Sequence, residues 1–169
     1  VNKKPSKIEI RGDCAVVFAN NTGNEFYFDI EDLHLIEGIG WNEHLNKGYL
    51  RGWVGGKMRY AHTLLINNVP NGFDIDHRDN NKKNNRRYNL RVVKHNFNNA
   101  NGKIKANNTS GFKGVYKKRN KWQASITYNS KNQYLGCFDD KIAAAKVYDA
   151  KAVELFGECA LTNEKLGLL

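Results

Sequence analysis

Residues 78–131 carry fifteen basic side chains and a single acidic one, Asp79. Charges at that density must stay on a surface, because an unpaired cation is almost never buried. The flanks differ. Residues 1–69 hold eight basic and eight acidic side chains, and residues 132–169 hold four and six. The net charge of +10 therefore lies in one central stretch. Ordinary surfaces mix signs, so the segregation points to a polyanionic partner, with nucleic acid the default.

Around that stretch the apolar residues, 40% of the chain, suffice for a core and exclude wholesale disorder. Ile8, Ile10, the run Ala15-Val16-Val17-Phe18 and Phe26-Tyr27-Phe28 read as strands, with the hairpin turn at Asn20 to Asn24. One or two helical turns are expected over Asp29 to Glu37. Tyr49 to Trp53 and Lys57 to His62 read as a strand pair around Gly55-Gly56, and Thr63 to Ile66 as a short buried segment. Residues 70–101 read as strand (Phe73 to His77), polar loop (Asp79 to Arg87), strand (Leu90 to Val93) and short helix (Lys94 to Asn101) anchored by Phe97 on the two strands. Residues 102–109 read as a linker. Beyond it come three strands, Lys113 to Tyr116, Trp122 to Tyr128 and Gln133 to Phe138, with turns at Arg119-Asn120 and Ser130 to Asn132. Trp122, Ala124, Ile126 and Tyr128 alternate on one face. Asp139-Asp140 caps a helix from about Lys141 to Phe156, and Gly157 ends it.

No apolar run approaches the roughly 18 residues of a membrane helix, and Val1-Asn2-Lys3-Lys4-Pro5 leads into no long apolar stretch. An intracellular, soluble protein without a signal peptide is expected. Cys14, Cys137 and Cys159 are too scattered for a disulfide framework or a structural zinc.

Asp76-His77 is the pair that can do chemistry. A hard divalent cation could be held by the Asp76 carboxylate and the Asn98 amide oxygen, with substrate phosphates completing its shell. His77 could then take a proton from an attacking water. The bland alternative is a capped turn with a surface histidine, and for Asn98 a helix-surface amide. His62 reads as core packing; His34 and His44 carry no assignment.

These residues, with Asn85-Arg86, Asn89-Leu90-Arg91 and Asn98-Asn99, resemble the His-Asn-His (HNH) endonucleases. His62-Thr63-Leu64-Leu65-Ile66 and Pro70-Asn71-Gly72 resemble the subgroup found in phage and mobile-intron proteins. The resemblance implies a ββα-metal fold, with His77 as general base, and Asp76 and Asn98 as ligands of one Mg²⁺ or Mn²⁺. Asn89 would orient the histidine and pin the loop. His95 competes with Asn98 for the third position. Residues 107–163 resemble the Apetala-two/ethylene-response-factor DNA-binding domain through Asn108-Thr109-Ser110-Gly111, Lys113-Gly114-Val115, Trp122, Tyr134 to Phe138, Ala143-Ala144, Val147-Tyr148-Asp149 and Leu161-Thr162-Asn163. That resemblance implies a three-stranded sheet backed by one helix, with DNA contacts near Lys113, Lys118 and Tyr134. Charge adds Lys117, Arg119 and Lys131, and, upstream, Arg86, Arg87, Arg91, Lys103 and Lys105. Trp122 reads as core, and Tyr148 and Asp149 as a brace between helix and sheet.

The expectation is an α+β chain. Residues 1–69 form a β-rich extension, or a DNA-facing sheet. Residues 70–101 form the nuclease core, 102–109 the linker and 110–163 the DNA-binding domain. The expected function is a homing-type, metal-dependent endonuclease on double-stranded DNA, without a small-molecule cofactor or a membrane, in the bacterial cytoplasm if phage-encoded. One site would nick as a monomer; a double-strand break would need a second subunit or event. The alternative is an inactive DNA-binding protein on the same scaffold.

Overall fold

The computed structural model describes residues 4–102, 104 and 107–169, leaving aside the side chains of Asn96, Asn98 and Asn99. Lys103 and Lys105 lie outside the described residues, as does the Asn98 side chain. The chain forms two units, Val1–Val93 and Lys94–Leu169.

The first unit opens with β1 (Ile8–Arg11), β2 (Cys14–Phe18) and β3 (Glu25–Asp29), an antiparallel sheet in that order. Alternation decides what β3 buries: Phe26 and Phe28 are fully enclosed, whereas Tyr27 is not. A 3-10 turn, Ile30–Asp32, leads into α1 (Leu33–Ile36). The second sheet is β4 (Asn42–His44), β5 (Tyr49–Val54) and β6 (Lys57–Tyr60), again antiparallel. One face of β5 turns Leu50 and Gly52 inward. A Cβ on Gly52 would lie 2.8 Å from the side chains of Ile39 and Trp41, so only glycine lets the strand approach that closely. Trp41 is fully buried, and its Nε1 donates to the Ile36 carbonyl at 2.8 Å. It joins Val17, Phe26, Phe28, Leu50, Leu65 and Leu90 in one core. The other face of β5 presents Tyr49, Arg51 and Trp53. α2 (His62–Leu65) follows, then β7 (Phe73–His77) paired with β8 (Leu90–Lys94).

The loop between β7 and β8 is fastened to β3. Tyr27 donates to the Lys83 carbonyl at 2.8 Å, and the Asn85 amide donates back to the Tyr27 carbonyl at 2.8 Å. Two arginines add ionic ties. Arg86 pairs with Asp13 and, at 2.7 Å, with Asp29. Arg87 Nε lies 3.0 Å from the buried carboxylate of Asp32. The net-neutral residues 1–69 thus hold the framework to which the basic loop is tied.

The second unit begins with α3 (His95–Ala100). Its described packing is within this unit: the Phe97 ring meets Phe156 edge-on at 5.6 Å, and Leu161 donates to the Ala100 carbonyl. β9 (Val115–Lys118), β10 (Lys121–Tyr128) and β11 (Lys131–Phe138) form an antiparallel sheet with β10 central. The β10–β11 turn falls at Asn129-Ser130, both left-handed, one step before the expected place.

α4 (Lys141–Phe156) lies against the sheet through Ala144, Ala145, Tyr148, Ala152 and Phe156. Its N-terminus is capped by the Asp140 carboxylate, which accepts from the Ala143 amide at 2.9 Å. Gly114, at φ +73°, lies under Tyr148, whose ring occupies the place of any Cβ there. The chain end is stitched back by Asp149, which accepts from the Asn163 and Glu164 amides at 2.8 and 3.0 Å.

Candidate active site

Asp76 and His77 are the last two residues of β7, and both are buried. Neighbours on a strand alternate in direction, and the described partners of these two differ. Asp76 Oδ2 accepts from Arg91 Nε at 2.8 Å and Nη2 at 2.7 Å. The His77 ring instead packs against Tyr49, at 5.8 Å between centroids, and His62, at 5.4 Å edge-on.

The loop that follows is held by two buried asparagines. Asn89 pins it: its Oδ1 accepts from the Asp79 amide, and its Nδ2 donates to the Asp79 carboxylate and the Asn84 carbonyl, both at 2.8 Å. The described bond to the histidine comes from Asn85. Asn85 Nδ2 donates to the Lys83 carbonyl, which can only accept. Oδ1 is thereby turned to His77 Nε2, 3.3 Å away. Facing an acceptor, Nε2 must carry the ring proton, leaving Nδ1 as the basic nitrogen. Asn89 is thus hydrogen-bonded within the loop, and Asn85, which the resemblance includes without a role, is the residue whose described bond reaches His77. The resemblance marks position 85, but its contact with His77 is not readable from the sequence.

Burial lowers the pKa of His77 from its ordinary value, against the opposing pull of the Asn85 bond and of Asp79 and Asp76. The imidazole is therefore neutral at pH 7 and able to accept a proton. His62 is driven further, to about 3, by burial and then by His77. His62 stacks on Tyr60, with planes 6° apart, and touches Tyr49. Expected as core packing, His62 is buried and is also a ring neighbour of His77.

If Asn85 sets the His77 tautomer, Asn85→Ala lowers any activity based on His77 by about 10- to 100-fold, by analogy with supporting groups around other sites. Loss of the bond also lowers the His77 pKa further, so the acid limb of the rate profile moves to lower pH. An unmoved limb would reduce Asn85 to a structural role.

The remaining candidates are scattered. Arg86, Arg87 and Arg91 are each paired with the carboxylates given above. Lys113 is turned inward: its Nζ donates to the carbonyls of Ala100 and Leu161, and burial lowers its pKa to about 8. The contact with DNA expected of it therefore meets an ammonium already engaged within its own unit. Lys118 lies over the exposed Tyr134 ring at 6.0 Å, so these two share a face of the β9–β11 sheet. Lys117 lies over Trp122, whose ring packs on the core beneath α4. Trp122, expected in the core, is half-buried and packs against it. Arg119, left-handed in its turn, and Lys131 are exposed.

Among the described residues, no group of three or more His, Cys, Asp or Glu could hold a metal. The donors fit a more open arrangement. Asp76 offers a buried hard oxygen already neutralised by a cation, and one carboxylate completed by substrate phosphates is the usual setting for Mg²⁺.

Residues 67–100 match the family model described as HNH endonuclease. The HNH segment includes Asp76, His77, Asn85, Asn89 and Asn98. Over 122 residues the chain is 34% identical to a protein of Acanthamoeba polyphaga mimivirus named as an uncharacterized HNH endonuclease. The alignment covers 69% of this chain and 63% of that relative, so the chain spans under two thirds of the relative's length. No solved structure matches. No helix among the described residues is long and apolar enough to cross a membrane.

Proposed function

We propose that this chain is a metal-dependent endonuclease of the homing type that hydrolyses a phosphodiester bond of double-stranded DNA. One observation carries the reading: a buried, neutral histidine whose Nε2 is fixed on Asn85, within a segment that matches a nuclease family. In this reading His77 Nδ1 takes a proton from the attacking water as the new O–P bond forms and the bond to the 3′ oxygen breaks. Asp79 and Asp76, both drawing the His77 pKa upward, favour the imidazolium that results. Asp76 and Asn98 are the residues assigned to hold Mg²⁺ or Mn²⁺. When bound, the cation would stabilise the negative charge developing on the leaving 3′ oxygen. Asn89 keeps the loop in register beneath the substrate.

The second unit then acts as a DNA-positioning module. Lys117, Lys118, Arg119, Lys131 and Tyr134 line its exposed surface, and Lys103 and Lys105 are assigned to the connecting segment. One site addresses one strand, so the monomer nicks. The test is a supercoiled plasmid pool carrying phage and host genomic inserts, incubated with Mg²⁺ or Mn²⁺ and, in parallel, with chelator. The expected product is metal-dependent open-circle DNA. Tight binding without cleavage under either metal favours the inactive DNA-binding alternative.

A further inference from the structure

Arg91 stands on β8, opposite the strand that carries Asp76; its Nε donates to Asp76 Oδ2 and its Nη2 forms an ion pair with the same oxygen. The two side chains are 11% and 7% exposed. In such a place the guanidinium does two things. It neutralises a carboxylate that would otherwise be costly to bury. It also takes up lone pairs of one of the two oxygens that a hard cation could use, and the negative charge of both. A divalent ion and a guanidinium cannot both hold Oδ2 at full strength, because each needs the same lone pairs and the same negative charge.

We infer that Arg91 is the protein's own placeholder for the cation, exchanged off Asp76 when the metal binds and released toward a phosphate of the DNA. The inference rests on the reading of Asp76 as a metal ligand. A released guanidinium at this depth needs a new anion. The substrate phosphates are the anions that arrive with the metal, and arginine matches them in a bidentate way. The metal would therefore bind weakly to the free protein and firmly on DNA, so the hydrolytic centre assembles only where there is something to cut. This joins two assignments that sequence kept apart, Asp76 to the metal and Arg91 to DNA.

The test uses the full chain without DNA. Mn²⁺ affinity is measured by electron paramagnetic resonance for the wild type, Arg91→Met and Asp76→Asn. The expected order is weak binding by the wild type, binding tighter on the order of tenfold by Arg91→Met, and none by Asp76→Asn. Arg91→Met should also melt at a lower temperature without metal and regain part of the loss with Mn²⁺. Because that variant leaves a buried carboxylate unpaired, a second measurement uses the wild type. The Arg91 Nε–H resonance, identified by its absence in Arg91→Lys, should lose its protection from solvent exchange on titration with Mg²⁺. An unmoved resonance at saturating Mg²⁺, or equal Mn²⁺ affinity in Arg91→Met, overturns the exchange while leaving Asp76 a ligand. Undiminished Mn²⁺ binding by Asp76→Asn removes the ligand assignment, and the exchange with it.

Discussion

His77→Ala should abolish cleavage while leaving DNA affinity largely unchanged. Loss of a positioned general base lowers turnover by about 100- to 10,000-fold, which in a plasmid assay reads as no open-circle product over the time the wild type needs for completion. The expectation follows from where the ring sits. His77 is buried, its Nε2 is engaged by Asn85, and the tautomer this contact selects makes Nδ1 the basic nitrogen. None of the basic residues assigned to DNA contact depends on it. Truncation removes a ring that packs on Tyr49 and His62, so the variant's melting temperature is measured alongside. A folded variant with normal turnover would end the assignment of His77 as base.

Acid should destabilise the first unit well before its carboxylates titrate. His62 has a pKa of about 3 when folded and an ordinary one when unfolded. Above the ordinary value both states are neutral and the group contributes no pH dependence. Below it, the unfolded chain takes up a proton that the folded chain refuses, so stability falls as pH falls, approaching about 1.4 kcal/mol per pH unit. Between pH 6.5 and pH 5 that is roughly 1–2 kcal/mol from His62, and the lowered pKa of His77 adds in the same direction. Urea unfolding at pH 7, 6 and 5 measures the slope. His62→Phe keeps a ring against Tyr60 and removes one titrating group, so it should flatten the slope by one proton. An unchanged slope would place the acid sensitivity elsewhere.

How much of this was legible in the sequence depended on the range of the interaction. α4 was readable end to end, because its start and stop are local: Asp140 caps the first turn, and Gly157 ends the last. The β1–β3 and β9–β11 sheets were readable for the same reason, through alternation and turn residues. β4 was not. Asn42-Glu43-His44 has no apolar pattern, and it is a strand because β5 pairs with it. The expected strand to His62 stops at Tyr60, and α2 turns His62 and Leu65 inward together.

The site divides the same way. Asp76 and His77 are conspicuous as adjacent residues, and so is the asparagine-rich loop after them. Their partners come from afar. The carboxylates that hold Arg86 and Arg87 lie 55 to 73 residues away in the chain. Tyr49 and His62 reach His77 only through the second sheet. Charge counting assigned those arginines to DNA because it cannot see which cations already have partners.

The fastening of the β7–β8 loop to β3 bears on how the proposed nuclease motif can be engineered. The HNH segment begins at residue 67, yet Tyr27, Asp13, Asp29 and Asp32, which hold the loop in shape, all lie upstream of it. A hybrid enzyme that borrowed residues 67–100 would inherit the reactive groups without their jig. The transplantable part starts at the first sheet. A designer wishing to retarget the proposed chemistry should therefore keep residues 4–100 together and make the exchange downstream.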